Sequence, residues 1–194
     1  HRFFYGISTI AAILLFRNHF NVPGDVDAGL AGLASAFAAS AAGFLFAAVI
    51  TPEVTHRIRK STWITVCFAF AAVMEAVYVV WMNEILLLVG AFVIGVAAQG
   101  SKICVDTIVQ ESIDDAYRGR VFSFYDVIFN IAFVGAAAFA AMTLPPDGNS
   151  RIVYAVISAG YAVTAYTYGW VNRRRRTDEA PASGSGPTRA ATVE

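Results

Sequence analysis

The sequence predicts an all-α membrane protein with six transmembrane helices, and three observations carry that prediction. Apolar residues make up 57% of the 194-residue chain and charged residues only 14%, more apolar surface than a water-soluble core of this size can hide. The apolar residues gather into blocks of roughly 20 to 25, the length that crosses about 30 Å of hydrocarbon at 1.5 Å per residue. Lysine and arginine cluster in alternate breaks between the blocks, the asymmetry that orients a multi-pass protein.

Residues 2–17 form the first block, which is short for a span. It follows His1 rather than a methionine and lacks the basic region and small-residue cleavage site of a signal peptide, so the start of this helix is expected to be missing. The second block, 28–51, follows the turn chemistry of Asn21-Val-Pro-Gly24-Asp25 and is expected to end at Thr51-Pro52-Glu53. The third, 61–82, ends at Asn83-Glu84. The fourth, 85–110, precedes Asp114-Asp115. The fifth, 119–143, runs into Pro145-Pro-Asp-Gly-Asn149, and the sixth, 152–172, ends at an arginine run. All breaks are short, so neighbouring helices run antiparallel.

Arg57, Arg59 and Lys60, then Arg118 and Arg120, then Arg173 to Arg176 mark three cytoplasmic regions; Arg17 and Arg151 are outnumbered by Asp25, Asp27, Glu84 and Asp147 on the opposite side. Residues 1–172 are thus the six-span bundle. Residues 173–194, rich in Ala, Pro, Ser, Gly and Thr, are expected to form a disordered cytoplasmic tail, its arginines held at an anionic membrane surface. The lipid bilayer is the first partner, and the zero net charge speaks against a nucleic-acid partner.

Small residues recur at helical spacing in the second block: Ala28, Gly32, Ala36 and Ser40, and beside them Ala31, Ser35, Ala39, Gly43 and Ala47. Such a face lets another helix approach closely. Gly90, Gly95 and Gly100 allow the same in the fourth block. Trp63, Trp81, Tyr154 and Trp170 near predicted boundaries fit the headgroup belt. His1, His19 and His56 are expected in solvent, and Cys67 and Cys104 as buried small hydrophobes. No metal-ligand spacing, Ser/His pair or paired catalytic carboxylates occur, so no cofactor, metal or enzymatic chemistry is indicated.

Charges inside spans need a reason to be there. Lys102 and Asp106 lie four apart on the fourth block, on one face and close enough to pair, with Gln99 and Gln110 along the same stripe. Asp126 and Asn130, ascending the fifth block, reach a similar depth. Lys102, Asp106, Asp126, Arg118 and Arg120 are therefore candidates for a cytoplasmic gate or a proton relay, against the alternative of a static structural network. Gln99 and Asn130 are candidates for lining a substrate cavity. Glu75, near the middle of the third span, is a further proton-coupling candidate, or else faces a partner on another helix.

The segment Asp114-Asp-Ala-Tyr-Arg-Gly-Arg-Val-Phe-Ser-Phe-Tyr-Asp126 resembles the loop between the tenth and eleventh helices of major facilitator superfamily transporters, through Arg118-Gly119-Arg120 and Phe122-Ser123. Thr55-His-Arg-Ile-Arg-Lys60 falls where that family has its basic loop between the eighth and ninth helices, without the family's Gly and Asp. The resemblance covers Arg2 to about Arg176, and it implies the C-terminal six-helix half of a bacterial exporter-like member. It further implies a missing N-terminal half as partner, three-helix inverted repeats, and alternating access. In that arrangement the first and fourth blocks line the cavity, the second and fifth meet the missing half, and the third and sixth are peripheral. The function it implies is proton-coupled efflux of a small-molecule substrate across a bacterial inner membrane; an excess of Arg over Lys and abundant Ala also suggest a GC-rich bacterial genome. A non-transporting six-span scaffold or assembly partner is the competing class.

Overall fold

The computed structural model describes residues 1–21 and 25–178, with side chains through 174. Within them lie six helices: α1 (Arg2–Asn18), α2 (Val26–Arg57), α3 (Lys60–Trp81), α4 (Glu84–Ser112), α5 (Asp115–Thr143) and α6 (Arg151–Asp178). Each apolar block has become one helix. Among the described residues α2, α3, α4 and α5 are long and apolar enough to cross a membrane, which marks a multi-pass membrane protein. The 17 residues of α1 reach about 26 Å, and α6 combines its apolar residues with four tyrosines.

Capping side chains start two of these helices. Asp25 accepts from the Ala28 amide at 3.0 Å and Asn83 from the Leu86 amide at 2.8 Å, each meeting a donor that the first turn leaves free. At the end where α5 leads into α6, Gly148 has φ 72 and is buried against α1, where a Cβ would meet the Ala11 carbonyl at 3.0 Å. Only glycine satisfies both conditions.

α2 packs along α4, α1 along α5, and α3 along both α6 and α4. Exchanging α1, α2 and α3 with α4, α5 and α6 turns the α2–α4 pairing into the α1–α5 pairing and returns α3–α6 to itself, whereas the α3–α4 pairing maps onto the much slighter α1–α6 contact. Two sets of contacts hold the ends of the bundle. At one end Lys60, opening α3, pairs with Glu111 near the end of α4 at 2.5 Å. At the other, Asn18 of α1 donates to the Pro146 carbonyl, and His19 meets Asn149 at 3.4 Å. The core lies between these ends, with Leu15, Phe16, Ile64, Ala71, Tyr154, Ile157 and Tyr161 all nearly inaccessible.

Several expectations need correction. The break at Thr51-Pro52-Glu53 is helical: α2 continues through Pro52 and stops at Ile58, which is extended. Proline removes the backbone donor that would have met the Ala48 carbonyl, yet the helix carries on, as membrane helices tolerate; Thr55 back-bonds to the carbonyls of Thr51 and Pro52 at 2.9 and 3.0 Å. Tyr154 is not a headgroup anchor but 1% exposed, its ring edge-on to Tyr78 at 4.8 Å. His1 is half-buried, stacked on Phe68 at 5.4 Å. Residues 173–178, expected in the tail, continue α6; the remainder of that expected tail lies outside the described residues.

The small-residue rows of α2 divide between two neighbours. Gly32 faces the ring of Phe16 on α1, while Ser40 and Gly43 lie against Gly95 and Phe92 of α4. Close approach by this face therefore serves packing within the chain. Its opposite side, with Leu30, Leu45 and Val49, is exposed, as are Phe124, Ile128, Ile131 and Met142 of α5.

Candidate functional site

Of the ionisable residues expected to cooperate, Lys102 and Asp106 do so: Lys102 Nζ donates to Asp106 Oδ2 at 2.6 Å along one face of α4. The side chains remain 37% and 27% exposed, so the pair borders open space rather than being sealed in the core. Lys102 also sits 5.8 Å from the ring of Tyr125 and 5.9 Å from that of Phe129 on α5, within reach of a cation–π attraction. Arg2, at the start of α1, places its guanidinium 4.4 Å from Phe129 and 4.5 Å from Phe133. Phe129 thus lies between two cations. The second carboxylate oxygen of Asp106 is buried without a hydrogen-bond partner.

The wider network is not assembled. Asp126 and Asn130 are exposed, and the side chain of Asn130 donates to the Asp126 backbone carbonyl at 2.8 Å. Arg118 and Arg120 are helical, because α5 begins at Asp115, four residues earlier than expected. Arg118 pairs with Asp115 at 2.5 Å and donates to the Gln110 carbonyl at 3.4 Å; no ion pair joins Arg120 or Asp126 to Lys102 or Asp106. Counted from the end where α4 meets α5, Lys102 and Asp126 both lie about 15 Å in, so the expected common depth holds. What separates them is azimuth: α5 turns Tyr125, Phe129 and Phe133 toward α1 and α4, and the stripe Ser123, Asp126 and Asn130 outward to an uncovered side. Gln99 is half-buried on the face of Lys102.

Glu75 belongs to a different place. It is 3% exposed, accepts from Ser8 Oγ of α1 at 2.7 Å, and lines a narrow cleft between α1, α2, α3, α4 and α6. Tyr5, Phe37, Tyr78 and Tyr154 contribute rings to its wall, and Tyr5 Oη approaches Ser40 Oγ at 3.4 Å. The partner on another helix, one of the two readings of Glu75, is therefore Ser8. Sequence reasoning missed this cleft, although Tyr5, Ser8, Thr9 and Ala12 recur at helical spacing on α1 and all line it.

A search across protein families matches the Major Facilitator Superfamily over residues 2–193. Two similar curated proteins are uncharacterized MFS-type transporters of Mycobacterium bovis and Mycobacterium tuberculosis, each 29% identical over 174 residues, which is 90% of this chain and 38% of theirs. The chain thus spans 38% of the length of these relatives. No solved structure matches it significantly. With a family match that runs nearly end to end over a bundle of long apolar helices, the chain belongs to the Major Facilitator Superfamily.

Proposed function

We propose that this chain acts as the C-terminal six-helix half of a secondary transporter that exports a small molecule by alternating access, driven by protons. The observation that carries this reading is the outward stripe of α5. Asp126 and Asn130 are exposed in the middle of an apolar helix, and an ionisable side chain facing lipid is costly by several kcal/mol. A water-filled pathway, or a second bundle laid against that face, removes the cost. The exposed apolar sides of α2 and α5 are the natural seat for that second bundle, and the correspondence of the α2–α4 pairing with the α1–α5 pairing supports a fold built from two three-helix repeats. In this reading α1 and α6 complete the six spans, and the basic residues at the α2–α3 junction, at the start of α5 and at the end of α6 are cytoplasmic, in a bacterial inner membrane.

The Lys102–Asp106 pair is then the movable element at the inner mouth. Its partial exposure lets water reach it, and the unpartnered oxygen of Asp106 can accept a proton or a rearranged partner when the pathway opens. Arg2, Tyr125 and Phe129 form the wall against which Lys102 rests. Asp126 joins only when α5 rotates or a second bundle supplies its partner.

Transport by the full-length protein in proteoliposomes tests this. Export should follow an imposed proton gradient, stop with a protonophore, and fall at least tenfold in Asp106→Asn. Flux that ignores the gradient, or survives neutralisation of both Asp106 and Asp126, refutes proton coupling through these residues. The absence of flux with a stable six-span assembly favours the scaffold class.

A further inference from the structure

We propose that the groove between α3 and α6, at the end of the bundle where α6 runs into its arginines, holds the headgroup of one anionic phospholipid. The site goes beyond the transport reading and needs only the chain's place in a membrane. It differs from a diffuse attraction of basic residues to an acidic surface, because a single lipid sits at a fixed position.

Packing of the two helices makes the groove. Ala165, Gly169 and Arg173 recur every four residues on α6 and line it together, opposite Thr65 of α3. At Gly169 the helices run close: a Cβ there would lie 3.2 Å from Thr65 Cγ2. The Thr65 hydroxyl is turned back onto the Ser61 carbonyl at 3.0 Å, so the floor of the groove presents a methyl group. Tyr166 and Trp170, both exposed, form its outer wall. The enclosed space is about 310 Å³, at the lower end of small-molecule sites. That is room for a headgroup, with the acyl chains left in the bilayer. Farther from the basic end, Phe70 and Val73 of α3 and Val163 of α6 are exposed and give those chains an apolar surface.

Charge and depth name the occupant. Arg173 lies about 6 Å beyond Gly169 toward the end of α6, level with the first turn of α3. Its guanidinium thus reaches the headgroup layer, which Trp170 marks as a belt residue. Arg174 adds a second cation there, 3.8 Å from the Trp170 ring. Among the described residues that line the groove Arg173 is the charged one, and arginine meets a phosphodiester with two parallel charge-assisted donors. Two neighbouring cations favour an acidic headgroup over one that brings its own ammonium. A free phosphate would gain the arginine but leave the rings of Tyr166 and Trp170 in water; a lipid covers both.

The test uses the full-length protein, purified and delipidated in detergent, and titrated with dioleoylphosphatidylglycerol or dioleoylphosphatidylcholine. The two share acyl chains and differ in charge, and native mass spectrometry counts the lipids bound. The expected result is a first phosphatidylglycerol bound at least about fivefold more tightly than the first phosphatidylcholine. Arg173→Ala should bring the two within about twofold of each other. Arg57→Ala removes an exposed charge from the same end of the bundle, but on α2, and should keep the preference. Glycerol 3-phosphate at millimolar concentration should not displace the lipid. Equal binding of the two lipids by the unaltered protein overturns the proposal. So does a preference that survives Arg173→Ala, or one that falls as far in Arg57→Ala, which would make the attraction diffuse. Displacement by glycerol 3-phosphate overturns it too, by making the ligand a soluble anion. The comparison of the two lipids on the unaltered protein decides even if a variant misfolds.

Discussion

Ser40 of α2 and Gly95 of α4 meet so closely that a Cβ added to Gly95 would lie 2.5 Å from the Ser40 carbonyl oxygen. The same crossing puts Gly43 against the backbone of Phe92 and Val96. Small residues on both helices are what allow α2 and α4 to pack backbone to backbone, where van der Waals contact replaces the missing hydrophobic drive in lipid.

Gly95→Ala should therefore destabilise the chain by about 1–3 kcal/mol through overpacking. Gly135→Ala, inside α5 with no atom within 4 Å of its Cβ position, should stabilise by up to about 1 kcal/mol, because alanine is the better helix former. Thermal unfolding in detergent compares the two. Equal effects would mean that the α2–α4 crossing is looser than described.

Breaking the Lys102–Asp106 pair on one side leaves a charge facing Tyr125 and Phe129. We expect Asp106→Asn to cost about 1–2 kcal/mol, less than the penalty of a sealed pair because both side chains reach solvent. The double variant Lys102→Met, Asp106→Leu should recover most of that loss. A double-mutant cycle in thermal unfolding checks it, and simple additivity would show that the two side chains act independently.

That pair was legible in the sequence because both residues sit on one helix, where a spacing of four decides proximity. So were the six helices, because block length and breaks are local properties. The gate network was not legible. Residue counting gives the height of Asp126 along α5 but not the rotation of α5, which is set by packing such as that of Gly6 on Ala136, with a Cβ at Gly6 2.6 Å from the Ala136 Cβ. The cleft around Glu75 draws on five helices, and no local pattern reports such a meeting. Pro52 misled in the opposite sense: it signals a break in water, but α2 runs through it to Arg57, as helices in a membrane tolerate.

Thr51, 1% exposed, accepts from Trp63 Nε1 at 3.2 Å. Thr51→Val keeps the shape and orphans the indole donor, so a loss of about 1–2 kcal/mol is expected. Thermal unfolding again provides the check, and a change below about 0.3 kcal/mol would show that the bond is replaced by water.

Tyr154 distinguishes core from membrane belt. As a fully buried ring against Tyr78, its replacement by alanine should cost about 3–5 kcal/mol. Trp81→Ala, at a 63% exposed site, should cost under about 1 kcal/mol in detergent. Comparable losses would return Tyr154 to the belt.

The central claim is that the stripe of Ser123, Asp126 and Asn130 on α5 lines an aqueous pathway, and cysteine accessibility tests it most directly. Ser123→Cys, Asp126→Cys and Asn130→Cys, introduced singly into the full-length protein in membranes, are treated with a charged, membrane-impermeant thiol reagent; the native Cys67 and Cys104 are buried. The account predicts fast labelling at these three positions and slow labelling at Phe124→Cys and Ile131→Cys on the apolar side of the same helix. Labelling that is equally slow at all five positions, or equally fast, would contradict it.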